Sequence, residues 1–214
     1  MRLLGINLLF QGKAIQSNKS PNLNFRGNLG RTQVDTVSFK GNNEKLDQEL
    51  IDYLKSVKKS EKLDFEKVKK YITDGADPNA KDKNGQTPLH ITARSNSTDI
   101  IEFLIKSGAD ANIKDKYSVS PLHEAACFKA NEALELLIKN GTDVNAKDRD
   151  GDTPSHIAAM KGNKEVLETL IRYKADIKAT NKNGLNPCGT AAKFEHYDVA
   201  QYLKYKMQDR SLDF

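Results

Sequence analysis

The nine residues 82–90, DKNGQTPLH, recur three more times along this chain of 214 residues, each time 33 residues further on. The later copies are DKYSVSPLH at 115–123, DRDGDTPSH at 148–156 and NKNGLNPCG at 181–189. A fixed period of roughly 20–50 residues is typical of architectures built from stacked repeats. The pattern therefore predicts a chain of equivalent layers rather than one large globular core.

A second pattern keeps the same register. It reads GADPN at 75–79, GADAN at 108–112, GTDVN at 141–145 and KADIK at 174–178. Glycine at the start of this pattern is typical of a helix end, where a left-handed residue is favoured. Proline preceded by Thr or Ser in the first pattern is typical of a helix start. The Asp-x-x-Gly segments predict tight hairpin turns between layers.

These motifs, in one register, resemble the ankyrin-repeat family over roughly residues 46–208. The resemblance implies an all-α fold, a solenoid of helix-turn-helix layers with β-hairpin tips. The predicted repeat domain spans residues 44–214, with units at about 46–81, 82–114, 115–147, 148–180 and 181–208. The first and last units have altered motifs, as end layers that face water should have.

Helical spacing of apolar residues predicts where the core lies. In the first unit, a helix is expected from Asp47 to Lys59, followed by a second from Phe65 to Ile72. In the unit at 115–147, small side chains alternate with large ones. The predicted core residues there are Leu122, Ala125, Ala126, Ala133, Leu134, Leu136, Leu137 and Ile138.

Residues 1–43 have no persistent helical or strand period and predict a disordered leader, or one that orders on a partner. Residues 1–48 carry seven Lys or Arg and three Asp or Glu, whereas the rest of the chain carries 27 and 26. The formal charge of +5 therefore comes mainly from the N-terminal segment. This distribution leaves an alternative function open, namely binding of nucleic acid or an anionic membrane surface by the leader.

Composition limits the other classes of function. No apolar run reaches the roughly 20 residues of a membrane span, and no signal peptide is evident. Cys127 and Cys188 form no C-x-x-C motif, so neither a zinc site nor a redox motif is indicated. We expect a monomeric, cytoplasmic protein in a reducing compartment, although a secretion route without a signal peptide stays open.

Candidate catalytic and metal-binding residues have simpler structural explanations. Stacked helices lie about 8–10 Å apart, whereas zinc ligands lie about 2 Å from the metal, so His90, His123 and His156 cannot share one ion. The resemblance implies instead that these histidines form hydrogen bonds between layers. His196 is interpreted as a surface or cap residue, and Cys127 has no catalytic partners at a known spacing. We expect no enzyme activity, no cofactor, no metal and no small-molecule substrate.

The resemblance implies that a protein partner binds to the concave face, through the hairpin tips and the exposed side of the first helices. Mapping the register onto this surface gives apolar residues where water-facing residues would be expected, within a basic frame. Such clusters mark interfaces. The predicted partner-binding residues are Lys83, Arg94, Lys116, Tyr117, Val119, Phe128, Arg149, Met160, Lys161, Leu185, Lys193 and Phe194.

One tip departs from the pattern. Ser118 stands where the other three tips have glycine. We expect the turn at Tyr117-Ser118 to be strained or differently shaped.

Overall fold

The computed structural model describes residues 36–57 and 62–208. These residues form ten α-helices, two in each of five layers, and none of them lies in a β-strand. Layer 1 consists of α1 (Thr36–Ser56) and α2 (Phe65–Thr73), and layer 2 of α3 (Pro88–Arg94) and α4 (Thr98–Lys106). Layer 3 consists of α5 (Pro121–Phe128) and α6 (Asn131–Lys139), and layer 4 of α7 (Pro154–Met160) and α8 (Lys164–Arg172). Layer 5 consists of α9 (Pro187–Lys193) and α10 (Tyr197–Gln208).

The layers stack through two rows of helices. The first helices α1, α3, α5, α7 and α9 pack in sequence, and α2, α4, α6 and α8 form the second row. Alanines in the first helices, such as Ala126 and Ala159, are fully buried and allow close approach of neighbouring layers. Leucines at one equivalent position of layers 2 to 5 fill the space between second helices, and all are fully buried: Leu104, Leu137, Leu170 and Leu203.

The predicted core of layer 3 is mostly confirmed. Six of its eight residues are fully buried: Leu122, Ala125, Ala126, Ala133, Leu134 and Leu137. The other two, Leu136 and Ile138, are half-buried and pack against the core. The two exceptions lie on either side of Leu137, and neighbours on a helix point about 100° apart. They therefore lie at the edge of the buried stripe.

Helix α1 begins at Thr36, before the predicted start at Asp47. The last eight residues of the predicted leader, 36–43, are thus helical, and the rest of that segment lies outside the described residues. Leu50, Ile51 and Leu54 are buried at the C-terminal end of α1. A packed helical segment can extend towards its N-terminus at little cost, because each added residue contributes a further hydrogen bond.

The tips are turns rather than the predicted β-hairpins. Asp82 Oδ1 accepts the backbone N–H groups of Asn84 at 2.7 Å and Gln86 at 2.8 Å, and Asp82 N–H donates to the Gln86 carbonyl at 3.0 Å. Equivalent bonds occur at Asp115, Asp148 and Asn181. One backbone bond of this kind per tip is too short a ladder to make a strand pair.

Asparagine side chains connect layer 1 to layer 2, layer 2 to layer 3, and layer 3 to layer 4. Asn79 Oδ1 accepts the backbone N–H of Asp110 at 2.8 Å, and its Nδ2 donates to the Gly108 carbonyl at 2.9 Å. Asn112 and Asn145 accept the corresponding N–H groups of the two following layers. Within layer 1, Asp47 of α1 makes the equivalent bond and accepts the N–H of Asp77 at 2.7 Å.

Left-handed residues join the two helices of layers 2 to 5. Asn96, Lys129, Gly162 and Glu195 occupy the same position in layers 2 to 5 and have φ between +56° and +65°. Only Gly162 requires glycine for space, because a Cβ there would lie 2.6 Å from the ring of His196. His196 Nε2 also bonds to the Met160 carbonyl at 3.1 Å, so this histidine holds layer 5 against layer 4.

The three motif histidines link helix starts to tips, which confirms their predicted structural role. His90 Nδ1 accepts the backbone N–H of Thr87 at 3.1 Å, so the ring proton lies on Nε2. His90 Nε2 then donates to the Val119 carbonyl in the next tip at 3.0 Å. His123 and His156 make the same bonds to the carbonyls of Asp152 and Leu185.

Burial keeps these histidines neutral. It lowers the pKa of His123 to about 4, against hydrogen bonds to backbone carbonyls that raise it. Burial also lowers the pKa of His90 and of His156. A protonated ring would have to release the N–H that Nδ1 accepts, so the neutral form is the one that the layers require.

Replacing Leu137 by alanine tests the register of the core. Leu137 is fully buried between layers. We expect Leu137→Ala to lower the free energy of unfolding by about 2–5 kcal/mol, because burial is lost and a cavity remains. Urea titration followed by circular dichroism measures this change. Leu136→Ala, at the half-buried neighbouring position, is the matched control and should cost clearly less.

The buried histidines predict an acid-sensitive fold. An unfolded histidine gains its proton near pH 6.5, whereas native His123 does so at about pH 4, so the unfolded state binds more protons between these values. Stability should be complete above about pH 6.5 and fall as the pH drops. His123 alone should remove about 2 kcal/mol between pH 7 and pH 5.

Urea titrations at pH 7 and pH 5 measure this loss. His123→Gln should be less stable at pH 7 but lose less on acidification than the wild type. Equal stability of the wild type at the two pH values would contradict the assignment of neutral, buried rings.

Candidate partner-binding surface

Consecutive tips are joined by backbone hydrogen bonds into a continuous row. The N–H of Lys116 donates to the Asn84 carbonyl, that of Arg149 to Tyr117, and that of Lys182 to Asp150, each at 2.9 Å. The bonds set the tips of layers 2 to 5 at a regular spacing. We call the exposed side of the first helices, together with these tips, the first-helix face.

Three of the predicted aromatic and apolar residues are exposed on this face. Tyr117 is 55% exposed, Phe194 45% and Phe128 36%. Two of them lie beneath arginines: the Arg149 guanidinium is 5.4 Å from the Tyr117 ring centroid, and that of Arg94 is 5.2 Å from the Phe128 ring. These distances are within the range of cation–π contacts. Each arginine is thus held against the aromatic ring, so the two side chains have less rotamer freedom to lose on binding.

The other three predicted apolar residues are half-buried: Val119, Met160 and Leu185. Their backbone carbonyls accept hydrogen bonds from His90, His196 and His156 respectively. These residues are thereby fixed in place between neighbouring layers. The face thus has exposed aromatic rings above a rigid, partly apolar base.

Glu124 is a residue of this face that the sequence analysis missed. Its carboxylate accepts from Arg94 Nη2 at 2.9 Å and Nε at 3.2 Å, and from Gln86 Nε2 at 3.1 Å. The Glu124 side chain is only 10% exposed. The signal was present, because Glu124 stands where the register places Ile91 and Ile157 in other layers.

The Glu124 pair changes the role of Arg94. Bidentate pairing with a buried carboxylate neutralises the arginine and fixes its plane. Arg94 therefore supports the Phe128 ring instead of contributing an unpaired positive charge to the basic frame. The pair also connects α3 to α5, and so layer 2 to layer 3.

The remaining predicted cations are exposed. Lys83, Lys116, Arg149, Lys161 and Lys193 all extend into solvent. Within residues 43–57 and 62–208, none of them is in an ion pair. Arg149 Nη2 donates to the Lys116 carbonyl at 2.6 Å, which leaves its charge uncompensated.

Two depressions accompany the face. One of about 530 Å³ lies between the tips of layers 3 to 5 and is lined by Ser118, Lys147, Asp148, Arg149, Gly151, Thr180, Asn181 and Lys182. Burial raises the pKa of Asp148, whose Oδ1 accepts two backbone N–H groups. A second depression of about 750 Å³ lies where layers 1 to 3 meet, and Arg94 and Phe128 contribute to its wall.

Two kinds of site are absent from the described part of the chain. No three His, Cys, Asp or Glu side chains are grouped so as to hold a metal ion. No helix there has the length and hydropathy needed to cross a membrane.

A family model for ankyrin repeats, three copies in length, matches residues 56–148 and again 130–211. The chain belongs to the ankyrin-repeat family. Proteins of this family are generally non-enzymatic modules for protein–protein interaction. No curated protein matches the chain closely enough to suggest a more specific role.

Among the ankyrin tips, that of layer 3 carries the predicted strain but not a different shape. Ser118 has φ of +62°, close to the values of +83°, +80° and +71° at Gly85, Gly151 and Gly184. A left-handed conformation costs a residue with a Cβ about 1–2 kcal/mol. The turn is therefore preserved at the expense of stability, directly beside the exposed ring of Tyr117.

Replacing Ser118 by glycine should relieve this strain. We expect Ser118→Gly to raise the free energy of unfolding by up to about 1 kcal/mol, since the conformational entropy that glycine loses offsets part of the gain. The reverse change in the neighbouring tip, Gly151→Ser, is the matched control. It should destabilise, because φ is +80° there and a Cβ would approach Lys182 N to 3.1 Å. Urea titration of both variants measures these changes. A loss of stability in Ser118→Gly would contradict the inference that Ser118 is strained.

Proposed function

We propose that this ankyrin array binds a protein partner across the first-helix face of layers 2 to 5. The observation that carries the proposal is the exposure of Tyr117, Phe128 and Phe194 along one face of a rigid stack. Exposed apolar area is unfavourable in water, and covering it contributes free energy to binding. Aromatic residues and arginine are also the residues most enriched where interfaces are strongest.

The support for this face lies in its rigidity as well as its chemistry. Two of the rings are stacked by arginines that are themselves held, Arg94 by Glu124 and Arg149 by the Lys116 carbonyl. Groups already ordered before association lose less conformational entropy on binding. The exposed cations should also accelerate encounter with the partner, an effect that salt weakens.

The setting of this function is also a proposal. The protein acts in the cytoplasm as a monomer until it meets its partner, and it carries no catalytic activity of its own. The alternative, binding of nucleic acid or an anionic membrane surface by the predicted leader, concerns residues that lie mostly outside the described part of the chain. The role of the face therefore stands as the preferred function.

Removal of two rings tests the proposal. Wild-type protein and the double variant Tyr117→Ala, Phe128→Ala are used to capture partners, and each captured protein is purified and titrated calorimetrically. Truncation of a central anchor costs at least about 2 kcal/mol, so the double variant should bind at least about a hundredfold more weakly. The double variant should keep the wild-type unfolding transition, since both rings are exposed.

The matched control lies on α10. Tyr197 and Tyr205 are 68% and 66% exposed and lie outside the first-helix face. The double variant Tyr197→Ala, Tyr205→Ala should bind like wild type. If it loses the partner while the Tyr117 and Phe128 variant retains it, the partner binds elsewhere.

A further inference from the structure

Two basic positions recur in the ankyrin tips. One position precedes and one follows the Asp or Asn that begins each turn. Seven of the eight residues at these positions are basic, and all seven basic side chains are exposed. Without these seven, residues 49–214 carry 20 basic against 26 acidic side chains. Positive charge is thus concentrated along one edge of the stack. We call these residues the tip cation row: Lys81, Lys83, Lys114, Lys116, Lys147, Arg149 and Lys182.

A second set of recurring cations, at the ends of the second helices, is paired, in contrast to the row. Lys106, Lys139 and Arg172 also recur once per layer, at the ends of α4, α6 and α8. Lys106 is 3.4 Å from Glu102, while Lys139 and Arg172 are 3.5 and 2.6 Å from Glu135. Among the described residues, the tip cation row has no such ion pair.

The charges of the row are positioned without being neutralised. Lys114 Nζ donates to the Lys147 carbonyl at 2.9 Å, and Lys147 Nζ donates to that of Thr180 at 3.2 Å. The acids of the tips mostly face inwards: Asp115 and Asp148 accept backbone N–H groups of their own turns. Asp150 is an exposed acid within the row. The row therefore presents a net positive edge.

The distance between successive cations of the row determines what shape of ligand can contact them together. Stacked helices lie about 8–10 Å apart, and the bonds between tips transmit this repeat to the cations. An extended chain advances about 3.3 Å per residue, so every third residue recurs at about 10 Å. We infer that the tip cation row binds an extended acidic segment of the protein partner, with a carboxylate at every third position. This inference rests on the proposed function and specifies the partner's chemistry.

The depression between layers 3 and 5 is where such a segment would be held best. Lys147, Arg149 and Lys182 line it together, and Tyr117 lies beside it beneath Arg149. A carboxylate there meets three cations. A nucleic acid fits less well, because sequence-independent single-strand sites use a succession of aromatic rings. The described tips offer Tyr117 alone.

Two synthetic peptides test the spacing. One consists of four Glu-Thr-Ser triplets, and its isomer has the same composition with the four glutamates adjacent. Fluorescence anisotropy of the labelled peptides is measured with the full-length protein at low and at raised salt. The triplet peptide should bind at least about fivefold more tightly than its isomer, with an affinity that falls as salt rises. Equal affinity for the two peptides would overturn the inference.

Matched variants test the location. Lys116→Gln, Arg149→Gln, Lys182→Gln removes three charges from the row, whereas Lys106→Gln, Lys139→Gln, Arg172→Gln removes the same three charges from the second helices. The first should weaken the triplet peptide about tenfold, the second by less than about twofold. Equal losses would mean that net charge alone attracts the peptide. Tighter binding of an oligothymidine of equal charge would assign the row to nucleic acid instead.

The same variants separate this inference from the proposed function. The captured partner should lose affinity in the Tyr117 and Phe128 variant and also in the tip variant. If only the Tyr117 and Phe128 variant loses affinity for the partner, the protein-binding function stands and the proposed acidic segment is refuted. Retention of the partner by both variants refutes both.

Discussion

The array depends on a neutral imidazole ring that bonds in two directions. In layers 2, 3 and 4 the ring accepts an N–H at the start of its own first helix and donates to a carbonyl in the next tip. One side chain thereby determines both where a helix begins and how far away the next turn lies. The row of tips, and every side chain that extends from it, inherits its spacing from these bonds.

Much of the fold could be predicted because repetition amplifies weak signals. A single Thr-Pro-Leu-His is a modest indication of a helix start, but four copies in one register determine the layers and the bridging role of His90 and its equivalents. The sequence misled where the repeat pattern stops. No repeat motif marks the start of α1 at Thr36. Its helical conformation is supported by the buried residues Leu50 and Leu54, which lie later in the same helix. The described tips form no strands, because each has a single backbone hydrogen bond of the ladder type. The number of such bonds cannot be read from the residue pattern.

The candidate site could be predicted in position but not in its interactions. The register correctly placed Tyr117, Phe128 and Phe194 on the surface. It could not show that Arg94 is neutralised, because its partner Glu124 lies in the next layer. A comparison of equivalent positions would have found Glu124 as a charge in an isoleucine position. Pairing across layers depends on side-chain geometry, which the order of residues specifies only indirectly.

The asparagine links between layers have a direction. The acceptors Asn79, Asn112 and Asn145 each belong to the earlier layer, and the N–H that each accepts belongs to the later one. During synthesis, layers 2, 3 and 4 thus each meet an acceptor already held in a folded neighbour. Proteins generally fold from the N-terminus during translation, and neighbouring repeats fold by adding to one another. This chain is therefore suited to growing one layer at a time in the order in which it is made, with α1 as the template for the first addition.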